Sequence, residues 1–291
     1  MELTDTHTHT VYSGHGEGFP ADLVGVALAK GLTTLAITEH LTLPSQMDAE
    51  GIFSMLPDQV EPYREQVAEA ATEAASATEV TTQLEVICGV EIDWFHGCED
   101  FVLGQLGIID GGPSPHYRLL LGSVHMLSAE NPDDPYDYWP LDYDATIDGW
   151  YERGIRYVWE RYVMHWLDAV NSRVPFDVMS HPDLPKKLGF QPDFDASPLW
   201  RQMAEAAAAK GVMIELNTSG LFNVCAEVYP GPALLREFRR AGVPCTISSD
   251  AHAPENVNRA HAQAVQALLE AGYTHITVPT ASGDRRDVLI G

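Results

Sequence analysis

The sequence predicts an α/β fold, a distorted seven-stranded (β/α)7 TIM-like barrel, and three observations lead there. Short apolar, β-branched runs alternate with longer helical patterns along the 291 residues, and repeated strand–helix–strand units build parallel sheet with right-handed crossovers. The strand units number seven, one fewer than regular closure, so the expected barrel is distorted. Each predicted strand also ends in a polar residue able to hold a metal or a substrate.

In order, the strands are expected at 3–7, 33–38, 84–91, 119–125, 177–181, 212–217 and 245–249, with a late run at 274–278 as an extra short strand. Helices fall between them. The first, 21–30, stops at Gly31, a C-cap signal. A long one at 58–78 is rich in Ala, Glu and Gln. A helix at 147–170 carries Trp150, Tyr151, Tyr157, Trp159, Tyr162 and Trp166. Ser197-Pro198 opens a helix at 198–210, a good N-cap and first-turn pair that ends at Gly211. Two more, 232–241 and 256–271, stop at Gly242 and Gly272. Segments 111–116 and 131–144 read as loops over the barrel mouth. No Gly/Ser/Pro linker divides the chain, so residues 1–291 are expected to form one domain.

Composition narrows the function. With 17 basic and 42 acidic residues the net charge is −25. Such a surface disfavours nucleic acid and anionic membranes, which need basic patches. No apolar run approaches the ~20 residues of a membrane span. Met1-Glu2-Leu3-Thr4-Asp5 has neither a basic region nor an apolar stretch, so no signal peptide is expected and a cytoplasmic location is. Cys88, Cys98, Cys225 and Cys245 are far apart and form no metal-binding pair, which suits buried free thiols.

The run Asp5-Thr6-His7-Thr8-His9 is the first chemical signal. In extended backbone, residues i and i+2 share a face, so His7 and His9 can grip one divalent ion from one strand end. Later strand ends supply Glu39-His40, Glu91, His125, His181, Glu215, Asn217, Ser249-Asp250 and His252. A barrel gathers these ends on one rim, where active sites form. His96, His116, His165, His261 and His275 lie in loops or helices and are assigned no role.

The segments Asp-Thr-His-Thr-His (5–9), Gly-His-Gly-Glu-Gly (14–18), Thr-Glu-His (38–40), Gly-Val-Glu-Ile-Asp (89–93), Gly-Ser-Val-His (122–125), Ser-His-Pro-Asp-Leu (180–184), Glu-Leu-Asn-Thr-Ser-Gly-Leu (215–221) and Ser-Asp-Ala-His (249–252) resemble the polymerase-and-histidinol-phosphatase (PHP) family, its histidinol-phosphatase branch most closely. The resemblance implies three divalent metal ions. His7, His9, Glu91 and Asp250 would hold the first. Glu91 would bridge to a second, held also by His125 and His181, and His15, His40 and His252 would hold the third. Zn, Mn or Fe all suit such donors. A bridging carboxylate keeps two ions close enough to share a hydroxide nucleophile, and the third offsets phosphoryl charge. Glu91, Asp250 and His252 are the candidate catalytic residues, and Asp5 is expected to orient a ligand imidazole rather than bind metal.

The implied activity is hydrolysis of a small phosphate ester, foremost histidinol phosphate. The expected partner is that small molecule, with no nucleic acid and no membrane; a homo-oligomer stays open. Substrate-binding candidates are Arg161 and Lys186, with Arg153, Arg156 and Lys187 as further cations, and Glu17, Asp93 or Glu39 for an amino or imidazole group. One departure stands out. The family pattern usually carries Arg just after Asn-Thr-Ser-Gly-Leu, and here that position is Phe222. It leaves room for another small phosphate as substrate. A metal-dependent amidohydrolase and a non-catalytic PHP module are the remaining rivals.

Overall fold

The structure is a computed structural model, and it describes residues 2–77, 83–109, 111–128 and 136–291. Its strands are β1 (Thr4–Asp5), β2 (Thr34–His40), β3 (Glu85–Asp93), β4 (Leu119–Ser123), β5 (Met126–Ser128), β6 (Tyr138–Pro140), β7 (Val178–Met179), β8 (Met213–Asn217), β9 (Cys245–Ser248), β10 (His275–Pro279) and β11 (Arg285–Leu289). Its helices are α1 (Pro20–Lys30), α2 (Val60–Ser76), α3 (Glu99–Gln105), α4 (Asp148–Arg153), α5 (Ile155–Asn171), α6 (Ser197–Lys210), α7 (Pro232–Ala241) and α8 (His261–Ala271).

Seven parallel strands form one sheet in the order β1-β2-β3-β4-β7-β8-β9. The sheet curls until its ends nearly meet. Thr6 N donates to Ile247 O at 3.3 Å, Asp250 N to His7 O at 2.9 Å and His9 N to Ala251 O at 2.8 Å. The expected barrel is therefore present, closed by the segments that follow β1 and β9.

The interior has two layers because side chains alternate along a strand. Ala36, Ile87, Leu119, Leu121, Val178 and Met213 fill one end as a separate aliphatic cluster, each fully buried. Further along the same strands the inward positions turn polar, with Thr38, Glu91, Ser123 and Glu215 all buried. Gly89 lies between the layers, where an added Cβ would meet Leu119 O at 2.8 Å and Thr38 Cγ2 at 2.9 Å. Outward-facing Leu35, Ile37, Val90, Leu120 and Ile214 join the helices in the main core, with Trp159, Tyr162 and Trp166 of α5 fully buried.

Several elements differ from expectation. The aromatic helix is two: Gly154, at φ +84°, separates α4 from α5. The last helix begins at His261, not at 256, because Asn258 and Ala260 take left-handed φ values of 58° and 56°. The late strand pairs with β11 as an antiparallel hairpin, and part of the mouth loop forms β6, paired with β5. The short helix α3 had no sequence signal strong enough to mark it. Thr78, the expected end of the long helix, and positions 131–135 of the mouth loop lie outside the described residues. Among the described residues no helix is long and apolar enough to cross a membrane. All four cysteines are free, Cys98 and Cys245 buried and Cys88 and Cys225 partly so.

Candidate metal centre

At the carboxyl ends of the strands, five histidines from four segments converge on one carboxylate. Glu91 ends its inward run on β3 with both oxygens engaged. Its Oε2 lies 3.1 Å from His7 Nε2 and 3.3 Å from His9 Nε2. Its Oε1 lies 2.9 Å from His181 Nε2 and 3.8 Å from His125 Nε2. A carboxylate facing different ligands with its two oxygens has the disposition of a bridge.

Six of these histidines are aimed by partners on their other nitrogen, while His181 Nδ1 is buried without one among the described residues. His7 Nδ1 donates to the buried Glu215, at 3.1 and 3.2 Å. His9 Nδ1 meets Ser13 Oγ at 2.9 Å, and that hydroxyl donates in turn to Glu39. Asp93 receives both His40 Nδ1, at 2.9 Å, and His125 Nδ1. His15 Nδ1 donates to Ile52 O and His252 Nδ1 to Asp250 O, each at 3.0 Å. With Nδ1 carrying the proton, a neutral ring offers the lone pair of Nε2 to the centre, the arrangement that metal-binding histidines adopt.

Those lone pairs face one another. His7 Nε2 and His9 Nε2 are 3.0 Å apart, as are His15 Nε2 and His252 Nε2. Two bare lone pairs at that distance repel, so a positive charge belongs between them. The donor set fits a divalent ion by size as well. Four ligands at about 2.0–2.1 Å in a tetrahedron stand roughly 3.3 Å from each other. His7, His9, Glu91 and Asp250 show 3.0, 3.1, 3.3, 3.5 and 3.9 Å. Four groups of metal-capable atoms overlap here: His7-His9-Glu91, Glu91-His125-His181, His9-His40-His252 and His40-Asp93-His125.

The electrostatics agree. Burial opposes charge on His7, yet Glu91, Glu215 and Asp250 hold its pKa well above the ordinary value. His9 rises to about 9 and His125 to about 10 against the same burial, chiefly through Asp250 and Glu91 for the first and Asp93 and Glu91 for the second. Glu91 and Asp250, though buried, are kept well below the carboxylate range by the surrounding imidazoles. Positive charge is thus stabilised around Glu91, while at the outer side burial and the neighbouring imidazoles lower His15 to about 4 and His252 well below the ordinary value. Backbone strain accompanies it: His181 and Asp250 are non-glycine residues at φ 25° and 52°, conformations that persist where the surroundings enforce them.

The centre opens into a cavity of about 570 Å3 lined by Glu91, Asp93, His181, Asp250 and His252 on the floor and by Ile52, Phe53, Tyr143, Asn223 and Arg259 nearer the mouth. All nine metal-ligand candidates sit on or beside this floor. The substrate candidates fare differently. Lys186 is fully buried away from the cavity, its ammonium bonded to Glu227 at 2.7 Å, Val228 O at 2.8 Å and Asp183 at 2.9 Å. It is Lys187 that lines the cavity, paired with Asp142 at 2.8 Å. Arg161 donates to Ser128 Oγ at 2.9 Å and does not line the cavity. Glu17 is exposed, and its backbone N–H donates to His252 O at 2.8 Å. Asp5 orients no imidazole ring. It accepts from Ser249 N at 2.9 Å, Ser249 Oγ at 2.5 Å and Asn258 N at 2.6 Å, pinning the loop after β9, and burial raises its pKa to about 6. Glu215 has the orienting role expected of Asp5. Asp142 and Arg259 had not been singled out, since neither ends a strand.

A barrel whose rim gathers histidines around a shared carboxylate, above a cavity of ligand size, defines the class of metal-dependent barrel hydrolases. The chain belongs to the PHP domain family, whose pattern matches residues 5–219. A Deinococcus radiodurans protein named "Probable histidinol-phosphatase" is 31% identical over 276 residues, 94% of this chain and 96% of that protein. A probable phosphatase of Edwardsiella ictaluri is 26% identical over 253 residues, 87% of this chain and 79% of that protein. The solved histidinol phosphate phosphatase of Lactococcus lactis, complexed with zinc, L-histidinol and phosphate, has the same fold. Its TM-score is 0.76 at 19% identity, with 98% of this chain and 99% of that one covered.

Proposed function

We propose that this protein is a metal-dependent phosphomonoesterase that hydrolyses histidinol phosphate to histidinol and phosphate, a step of histidine biosynthesis. The observation that carries the reading is the shared Glu91 carboxylate, with His7 and His9 on one oxygen and His181 and His125 on the other, in a PHP chain 31% identical to the Deinococcus protein over nearly its whole length. The reading takes residues 1–291 as one hydrolase domain in the cytoplasm, in keeping with four free thiols.

In this reading His7, His9, Glu91 and Asp250 hold one ion; Glu91, His125 and His181 a second; and His15, His40 and His252 a third. Zinc, manganese and iron are all compatible with nitrogen and carboxylate donors. When bound, divalent ions bring the pKa of water near neutral and offset phosphoryl charge. The chain's own groups do the rest. Asp93 and Glu215 fix the imidazole orientations. The departing oxygen takes its proton from the water around the floor, beside Asp250 and His252. Asp142, which burial would neutralise but Lys187 keeps below the usual carboxylate range, faces the substrate ammonium. Phe53 and Tyr143, edge to face at 6.0 Å, wall the imidazole.

The test is phosphate release from histidinol phosphate by the metal-loaded protein, compared with an aryl phosphate and with nucleotide and sugar phosphates. A strong preference for histidinol phosphate, abolished by a chelator, is expected. Equal kcat/KM for the aryl phosphate would refute the substrate. Phe222, where the family pattern has Arg, favours a second reading with another small phosphate, and the same panel decides between them.

A further inference from the structure

Two cations besides histidine line the cavity, Lys187 and Arg259. Lys187 is engaged by Asp142 at 2.8 Å. Arg259 has no carboxylate partner among the described residues, and its Nε is buried with no hydrogen-bond partner. What the guanidinium does touch is Phe222: its Cζ stands 4.3 Å from the centre of that ring. The segment is held without it, because Arg259 N donates to Asn256 O and its carbonyl accepts from Thr218 Oγ1 at 2.8 Å. A structural arginine would have its N–H groups bonded to the protein, and among the described residues these are not. Stacking on a ring fixes the guanidinium plane while leaving the in-plane N–H fork open, the geometry that grips phosphate.

Phe222 is itself 58% exposed, an apolar ring whose one cationic contact is Arg259 among the described residues. The two come from different segments, Phe222 after β8 and Arg259 after β9, and meet beside the cavity that Arg259 and Asn223 line. Burial opposes the charge on Arg259, with Asp250 and Asp5 supporting it, so an incoming anion gains a poorly solvated cation.

We propose that Arg259, braced on Phe222, is the protein's own anchor for the phosphoryl group, in place of an arginine at position 222. The inference rests on the reading of this cavity as a phosphomonoesterase site, whichever ester is preferred.

The experiment is calorimetric binding of inorganic phosphate to the metal-loaded protein, alongside KM and kcat for the ester it cleaves best and elemental analysis of bound metal. Arg259→Gln is expected to weaken phosphate binding and raise KM roughly ten- to a hundredfold with metal content unchanged. Phe222→Ala, which removes only the brace, is expected to cost roughly three- to fivefold. Adding Phe222→Arg to Arg259→Gln is expected to recover phosphate binding. Wild-type phosphate affinity in Arg259→Gln would overturn the proposal. So would loss of metal in that variant, since the arginine would then serve the metal centre. If another ester proves to be preferred, the substrate reading fails while Arg259-dependent phosphate binding survives. If histidinol phosphate is preferred and Arg259→Gln is unimpaired, the anchor alone fails.

Discussion

Two layers of the same barrel interior, only a few residues apart on the same strands, are equally buried and chemically opposite. Below, Ile87, Leu119, Leu121, Val178 and Met213 are fully buried aliphatics. Above, His7, His9, Glu91, His181 and Glu215 are at most 1% exposed. Burying charge is costly unless it is paired, so the upper layer persists through mutual compensation among carboxylates and imidazoles. The lower layer is ordinary hydrophobic packing and needs no compensation. Burial alone thus says little about function; the presence of a carboxylate partner separates the two layers.

The sharpest way to break this comparison is to remove the shared partner. Glu91→Ala deletes the group facing five histidines, and we expect activity to fall about a thousandfold or more, with bound metal reduced. Activity and metal content measured on the same preparation check it; retention of full metal would mean that Glu91 is not a bridge. In the lower layer, Met213→Ala, two residues before Glu215, is expected to destabilise the fold by about 2–5 kcal/mol through transfer and cavity terms while leaving metal stoichiometry intact. Denaturant unfolding of the metal-free form, paired with elemental analysis, reads both. Metal loss in step with stability would show that the layers are one cooperative unit.

A smaller effect isolates orientation from ligation. Asp93 accepts Nδ1–H from both His40 and His125. Asp93→Asn keeps the shape and removes the charge, and metal affinity is expected to drop about 10- to 100-fold, read by competition with a chromophoric chelator.

The strands and most of the polar layer were legible because a period of two is a local property: a strand that ends in Glu91 or Glu215 announces its inward face. What stayed hidden depended on turns. Lys186 and Lys187 are neighbours, and only the short 3-10 turn at Leu184–Lys186, which rotates each successive side chain by about a third of a turn, decides which one is buried with Glu227 and which reaches the cavity. Arg259 falls within an expected helix, because Asn258 tolerates left-handed backbone without requiring it and nothing marks Ala260 as left-handed. Asp5 was expected to orient a ligand imidazole, whereas the sheet brings Glu215 to His7 from more than 200 residues away.

The smallest prediction concerns a buried histidine outside both layers. His165 on α5 is 5% exposed, with Nε2 on Ser128 Oγ at 3.2 Å and Nδ1 unpartnered. Burial lowers its pKa to about 4, reinforced by Arg161 and His96 and opposed by Asp168. The unfolded chain, titrating near 6.5, therefore binds more protons than the fold between pH 6.5 and about 4. Stability from this residue is complete above that window and is lost as pH falls through it. His165→Gln should relieve about 1 kcal/mol of acid destabilisation near pH 5.5, seen as a shallower decline of unfolding free energy between pH 7 and 5. His7 and His9, buried as deeply but faced by carboxylates, carry shifts of the opposite sign. An unchanged acid slope in His165→Gln would mean that this ring binds protons in the fold as readily as in the unfolded chain, and that a carboxylate partner is not what separates His7 and His9 from it.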